Sequence, residues 1–175
     1  FHSAGDGRGE AEATTALAAL SRQAGRRGQA VDLYREAAAQ WQALGLARRE
    51  MRAWNDLGLT LWELGDLPAA GTALARGLDL ARTLGDVFSE ADLRGNQCLI
   101  LHARGELRAA LDCYGEPLAL FRRLGEAREE AAVLNNFGFA YYSLGEPRLS
   151  ETSYRQALEI RRAIGDRSGE AQALN

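Results

Sequence analysis

Residues 44–65 read LGLARREMRAWNDLGLTLWELG, a stretch that starts and ends on a Leu-Gly pair, 20 residues apart. Gly45 and Gly65 belong to a longer series, because a glycine recurs every 20 residues along the whole chain of 175 residues. The nine members of the series are Gly5, Gly25, Gly45, Gly65, Gly85, Gly105, Gly125, Gly145 and Gly165. A fixed period of this kind predicts a repeat architecture, in which one structural unit is stacked along the chain.

The residues around each glycine predict the end of one helix and the start of the next. The residue before is usually leucine or isoleucine, and the residue after is usually aspartate or glutamate. Glycine tolerates the left-handed conformation that ends a helix, and a carboxylate accepts the unpaired N–H groups at the next helix start. The intervening residues have helical periodicity and no strand-like alternation. We expect eight helices and the start of a ninth, including helices near 27–43, 47–63, 67–83, 107–123, 127–143 and 147–163.

Alternate helices differ in sequence, so the true repeat is a pair of helices that spans two glycine intervals. Two of the odd-numbered helices carry an apolar residue followed by glycine at mid-helix, Leu57-Gly58 and Phe137-Gly138. A glycine inside a helix costs about 1 kcal/mol relative to alanine. We therefore expect the partner helix to approach Gly58 and Gly138 closely, where a side chain would clash.

Two stretches of the chain resemble the tetratricopeptide repeat family. They are Trp54-x-x-Leu57-Gly58-x-x-Leu61 with Ala70-x-x-x-Leu74, and Leu134-x-x-Phe137-Gly138-x-x-Tyr141 with Tyr154. The second helix ends in Leu-Gly-Asp or Leu-Gly-Glu in place of the usual proline. This 40-residue variant is similar to the repeats of kinesin light chains, Leu-Gly-Asn-type adaptors and bacterial multidomain regulators. The resemblance implies an all-α fold, a right-handed superhelix (α-solenoid) of antiparallel helix pairs.

The predicted organisation is a single array. Residues 1–6 end a preceding repeat, four repeats cover 7–44, 47–84, 87–124 and 127–164, and 167–175 begin a truncated fifth. We expect an excised piece of a larger protein, since neither end has a polar capping helix. The alternative is self-association through the uncapped ends, which light scattering over a dilution series would detect.

The third repeat departs most from the pattern. Gln97-Cys98 replaces the Leu-Gly pair, and Pro117 lies inside the second helix. Because proline removes a backbone hydrogen bond and clashes with the preceding turn, we expect a kink near residues 113–117. Cys98 and Cys113 are expected to be small buried apolar residues, forming neither a disulfide framework nor a metal cluster.

By resemblance, the first helix of each repeat lines the concave face of the superhelix. An amide side chain at this face offers donors and an acceptor to a peptide backbone, an arginine forks onto a carboxylate, and aromatic rings serve as rigid anchors. Histidine and leucine complete the face in the third repeat. The candidate peptide-binding residues are Arg52, Asn55, Leu59, Trp62, Leu99, His102, Asn135, Phe139, Tyr142 and Asn175.

Structural roles are the alternative for the same residues. Asn55 and Asn135 would then cap or bridge neighbouring helices. Trp62 and Tyr142 would pack between repeats with only an edge exposed, and His102 would be an ordinary surface or half-buried residue.

Composition and motifs narrow the class of protein. Hydrophobic residues make up 46% and charged residues 26%, with a formal net charge of −3, which gives no sign of the basic face that nucleic acid requires. We find no membrane-spanning stretch, signal peptide, phosphate loop, nucleophile elbow or metal-ligand spacing. The chain is therefore expected to be cytoplasmic and non-enzymatic, without cofactors or metal. All 21 basic residues are arginine, which favours a GC-rich bacterial source.

Two binding functions are consistent with these observations, and a spacer whose only task is stacking is a third possibility. The leading hypothesis is an interaction module of a larger bacterial protein that binds a peptide or protein segment in its concave groove. The alternative is a sensor segment of a transcriptional or signalling regulator that responds to a small molecule or signal peptide.

Overall fold

The computed structural model describes residues 4–167 and 169, and its regular secondary structure within those residues is entirely α-helical. The eight helices are α1 Ala4–Gln23, α2 Arg27–Ala43, α3 Ala47–Glu63, α4 Leu67–Leu84, α5 Val87–Ala103, α6 Leu107–Leu124, α7 Ala127–Ser143 and α8 Pro147–Ala163. The six ranges expected from the glycine spacing lie within one residue of the observed bounds. The prediction of an all-α helical repeat is confirmed, and the handedness of a superhelix stays a prediction.

The chain divides into two compact units, Phe1–Asp86 and Val87–Asn175. In the first unit α1 packs against α2, α2 against α3, and α3 against α4. In the second unit α5 packs against α6, α6 against α7, and α7 against both α8 and α5. Within each unit, helices that are adjacent in sequence are adjacent in space, as the local contacts of a repeat array require.

Glycines of the 20-residue series end the helices in the left-handed conformation. The eight from Gly25 to Gly165 have φ between 63° and 82°. At Gly45 the turn is closed by two hydrogen bonds, from the N–H of Gly45 to the Gln42 carbonyl and from the N–H of Leu46 to the Trp41 carbonyl, both 3.0 Å. Gly5 differs from this expectation, because it is the second residue of α1 and does not end a helix.

The acidic residues at helix starts act as caps only where they are aspartate. The Asp66 carboxylate accepts the N–H of Ala69 at 3.1 Å, and Asp166 accepts the N–H of Gly169 at 3.1 Å. The prediction of carboxylate caps is wrong for three glutamates, whose side chains make no capping hydrogen bond: Glu106, Glu126 and Glu146. Glutamate is one methylene longer than the preferred capping residues, so these residues contribute only through the helix dipole.

The mid-helix glycines lie where the partner helix approaches closely, as predicted. A Cβ atom on Gly58 would lie 2.6 Å from Leu74 Cγ, and one on Gly138 would lie 2.8 Å from the Tyr154 ring. Leu74 is fully buried and the Tyr154 ring is rigid, so neither can easily move away.

The expectation that the two cysteines form no disulfide is wrong. Cys98 and Cys113 form a disulfide that joins α5 to α6, with Cα atoms 5.6 Å apart. Cys98 occupies the position of Gly58 in the preceding repeat and of Gly138 in the following one. The helices of a pair come closest at this position, and that proximity brings together two cysteines 15 residues apart in sequence.

Pro117 is buried inside α6, which continues from Leu107 to Leu124 around it. The proline therefore does not end the helix. The kink expected near residues 113–117 stays a prediction.

Each unit has its own apolar core, rich in alanine, which lets helix axes lie close together. In the first unit Trp41 is 1% exposed and packs with alanines of α1, α2 and α3. In the second unit the core contains the disulfide sulfur of Cys98 together with Tyr114 and Phe121. These cores hold the first helices of the pairs in place, and those helices carry the candidate site.

Candidate functional site

The candidate residues of the first unit lie on α3. Arg52 is exposed, whereas Asn55, Leu59 and Trp62 are half-buried. Steps of three and four residues place all four on one face of the helix. Asn55 already has a contact partner within the protein.

In the second unit two of the candidate rings, His102 of α5 and Phe139 of α7, are in contact. The ring centroids of His102 and Phe139 lie 4.5 Å apart, so the two helices meet at these side chains. Phe139 is 52% exposed and Tyr142 is 70% exposed. Leu99, half-buried on α5, packs against the core beneath. Exposed aromatic rings on one face are typical of a surface that a partner covers.

His102 is held between two helices. Its Nε2 atom lies 3.2 Å from the Ser143 hydroxyl, at the end of α7. Partial burial lowers the pKa of His102, because the charged imidazolium loses hydration there. Burial therefore favours the neutral ring, which has both a donor and an acceptor nitrogen.

Asn135 lies on the same helix as Phe139 and Tyr142. Its side-chain oxygen is buried and has no hydrogen-bond partner among the described residues. The oxygen is therefore not engaged in the helix-bridging role that the sequence left open for this residue. A buried unpaired carbonyl is costly, and rotation of the amide toward a donor would relieve that cost.

The first unit carries a charged cluster that the sequence analysis missed. Arg22 Nη2 of α1 lies 2.6 Å from Glu63 Oε1 of α3, and Arg27 Nε lies 3.0 Å from Glu63 Oε2. The hydrogen bond from Arg22, followed by that from Arg27, holds the pKa of Glu63 below its usual value. These residues are distant in sequence and come into contact because the helices stack. In the sequence, only the repeat period indicates that such a contact forms.

A cavity of about 420 Å³ lies beside this cluster. Tyr34 and Asp56 line it together with the three charged residues. The pKa of the Tyr34 hydroxyl is raised, first by burial and then by the negative charge of Asp56. The hydroxyl is therefore neutral, and the cavity wall is polar.

Thr15 of α1, which lies 40 residues before Asn55, has a packing role. Its hydroxyl accepts a hydrogen bond from the indole N–H of buried Trp41 at 3.0 Å. Asn175, the last residue of the candidate set, lies outside the described residues. The candidate site is thus carried by α3 in the first unit and by α5 and α7 in the second.

Metal ligands do not cluster in the part of the chain that the structure describes. No group of three or more histidine, cysteine, aspartate or glutamate residues there could hold a metal ion. None of the described helices is both long enough and apolar enough to cross a bilayer.

Comparison with known proteins identifies the family. The helix pairs define the class of all-α helical repeat proteins, and two family models for the tetratricopeptide repeat match residues 52–84 and 89–163. The chain belongs to the tetratricopeptide repeat family. Its fold is that of a protein-interaction scaffold. No curated protein sequence matches the chain.

Several solved structures share the fold. BtubC (BKLC) from P. vanneervenii is 25% identical, with a TM-score of 0.73 over 87% of this chain and 62% of that chain. A Rap protein complexed with competence and sporulation factor is 17% identical, with a TM-score of 0.81 over 91% and 45%. A signal transduction ATPase with a tetratricopeptide repeat sensor, from Pyrococcus horikoshii, is 20% identical, with a TM-score of 0.77 over 93% and 25%. The chain therefore spans less than two thirds of each of these proteins.

Proposed function

We propose that this chain is a non-enzymatic module of a larger bacterial protein and binds an extended peptide segment of a partner. The binding faces are those of α3 in the first unit and of α5 and α7 in the second. The observation that carries the proposal is the pair of exposed rings, Phe139 and Tyr142, beside Asn135 on one face of α7. Exposed apolar surface is costly in water, and a bound apolar side chain would cover it.

The chemistry of the two faces suits an extended peptide. After a rotation that brings its buried oxygen to the surface, the amide of Asn135 can hydrogen-bond a peptide backbone irrespective of the peptide's side chains. Asn55 would do the same after exchanging its present contact. The paired rings of His102 and Phe139, and the exposed ring of Tyr142, would receive apolar side chains. A Rap protein complexed with competence and sporulation factor has the same fold, which supports the proposal.

The proposal is tested by a pull-down from the native host with the double variant Asn55→Ala plus Asn135→Ala. We expect partner capture to be abolished while helicity and melting temperature stay unchanged, because two backbone-directed amides are lost from the binding faces. The matched control is Gln42→Ala plus Gln156→Ala, which removes two exposed amides from second helices and should leave capture intact. Unchanged capture by the asparagine variant would contradict the proposal.

The second candidate function is a sensor segment of a regulator. The similarity to the tetratricopeptide repeat sensor of the Pyrococcus horikoshii protein favours it. The sequence of the full-length parent protein discriminates between the two candidates. An adjacent winged helix or nucleotide-binding domain would support the sensor, whereas its absence would favour the interaction module.

A further inference from the structure

A second cavity of the first unit lies between α2, α3 and α4, and it has the features of a small-molecule site. Its volume is about 350 Å³, within the size range of ligand pockets. The apolar floor is formed by Trp54, Leu57 and Leu61 of α3. Arg35 of α2 and Arg76 of α4 line its sides.

The floor and one wall are held in position by contacts within the protein. The guanidinium carbon of Arg76 lies 4.8 Å from the centre of the Trp54 ring. The indole N–H of Trp54 donates to Glu50 Oε1 at 3.2 Å, and Glu50 is buried. A guanidinium that lies over a ring face can still donate its N–H groups to a second partner, so Arg76 is oriented but not saturated.

The cavity has an unbalanced positive charge. None of its lining residues, all of which are described by the structure, is acidic. Arg35 has an ion pair with Asp32 at 3.6 Å, but both side chains are exposed, and such pairs contribute little. Both guanidinium groups line the same cavity, so an anion bound there could accept hydrogen bonds from each of them.

In the next repeat the charges at the positions equivalent to Trp54 and Arg76 neutralise each other. The positions of Trp54 and Arg76 are occupied there by Arg94 and Glu116. Arg94 and Glu116 form an ion pair in the second unit. In the third repeat the residues at these two positions thus neutralise each other's charge. In the second repeat the neutral ring of Trp54 contacts Arg76 but supplies no carboxylate to neutralise it.

We propose that this cavity binds a small molecule with an apolar body and one carboxylate. The apolar body would lie on Leu57 and Leu61, and the carboxylate would accept hydrogen bonds from Arg35 and Arg76. The site is distinct from the proposed peptide face. At 3.6 residues per turn, positions 54, 57 and 61 point to a different side of α3 from positions 52, 55 and 59.

The test uses 3-phenylpropionate as the probe and its uncharged amide, 3-phenylpropanamide, as the matched ligand in isothermal titration calorimetry. We expect the acid to bind at least ~10-fold more tightly than the amide, because charge-assisted hydrogen bonds are made only by the carboxylate. Arg35→Gln and Arg76→Gln should each weaken binding of the acid by ~10-fold or more. Arg108→Gln, which changes an exposed arginine of α6, should leave it unchanged.

A second readout locates the bound probe. The indole N–H resonance of Trp54, assigned as the signal lost in Trp54→Phe, should shift on titration with 3-phenylpropionate in the unmodified chain. Circular dichroism checks that both arginine variants fold. If only one of the two variants folds, that variant alone is enough for the binding test. The proposal is overturned if the acid shows no saturable binding up to about 10 mM, if acid and amide bind equally, or if folded arginine variants retain full affinity.

Discussion

Arg22 and Glu63 are joined by a hydrogen-bonded ion pair of 2.6 Å, and the equivalent two positions are joined again two repeats further along the chain. There the residues are His102 and Ser143, whose Nε2 and hydroxyl oxygen lie 3.2 Å apart. In each unit the contact connects the first helix of one repeat to the first helix of the next. The geometry of the bridge is repeated while its chemistry changes from an ion pair to a neutral hydrogen bond.

The ion pair predicts a pH-dependent contribution to stability. The folded-state pKa of Glu63 is below its ordinary value of 4.5, so its contribution is complete above that pH and is lost as the pH falls through the folded pKa. We expect Glu63→Gln to reduce the free energy of unfolding by about 1 kcal/mol at pH 7. The difference should shrink as the pH falls below 4.5 through the folded-state pKa. Urea unfolding across this range measures it.

The matched control for this prediction is Glu159→Gln, which changes an exposed glutamate of α8. It should alter the free energy of unfolding by less than about 0.5 kcal/mol. A difference between the unmodified chain and Glu63→Gln that does not change with pH would contradict the prediction.

The second bridge predicts a depressed histidine pKa. Burial disfavours the imidazolium of His102, so NMR titration should give a pKa below the ordinary value of 6.5. Phe139→Ala removes the ring that covers the imidazole and should move the pKa back toward 6.5. Stability linked to this group should fall as the pH drops from 6.5 through the folded pKa, because protonation favours the unfolded chain. A measured pKa at or above 6.5 would show that burial does not depress the pKa of His102.

The close helix contacts predict opposite effects for glycine substitutions. Gly138→Ala should lower the free energy of unfolding by about 1–3 kcal/mol, because the new methyl group overlaps the Tyr154 ring. Gly95 is also inside a helix, but a Cβ atom there would meet nothing within 4 Å. Gly95→Ala should therefore stabilise the protein by up to about 1 kcal/mol through helix propensity. Chemical denaturation of both variants provides the comparison, and equal effects would exclude a steric cause.

The disulfide predicts that reduction destabilises the second unit. A cross-link between residues 15 apart contributes about 3 kcal/mol through the unfolded state. Dithiothreitol should shift the unfolding transition seen by circular dichroism more than that seen by tryptophan fluorescence, because all three tryptophans lie in the first unit. The double variant Cys98→Ala plus Cys113→Ala should not respond to the reductant. A transition that reductant leaves unchanged in the unmodified chain would show that the bond is not formed.

Local features of the fold were predictable from the sequence because they depend on backbone conformation. Glycines at a fixed spacing place helix ends, since few other residues adopt a positive φ. Gly58 and Gly138 indicated close helix contacts, because glycine at mid-helix lowers helix stability and is expected only where a side chain would clash. The capping prediction failed at Glu106, where the reach of the side chain decides whether a hydrogen bond forms.

The candidate site was only partly predictable. Helical spacing placed Asn135, Phe139 and Tyr142 on one face of α7, and the exposure of the two rings could not be read from that spacing. The contact between the His102 and Phe139 rings joins residues on two helices, so it depends on how α5 packs against α7.

The sequence by itself determined the helices, their ends and their membership of a two-helix repeat. These features depend on glycine conformation and helical periodicity, which involve only residues close together in the chain. Tertiary structure alone decided which distant side chains meet. The Cys98–Cys113 disulfide, the Arg22–Glu63 pair and the Arg76–Trp54 contact each join different helices. Their distances follow from packing, in which each helix settles where side chains fill the available space.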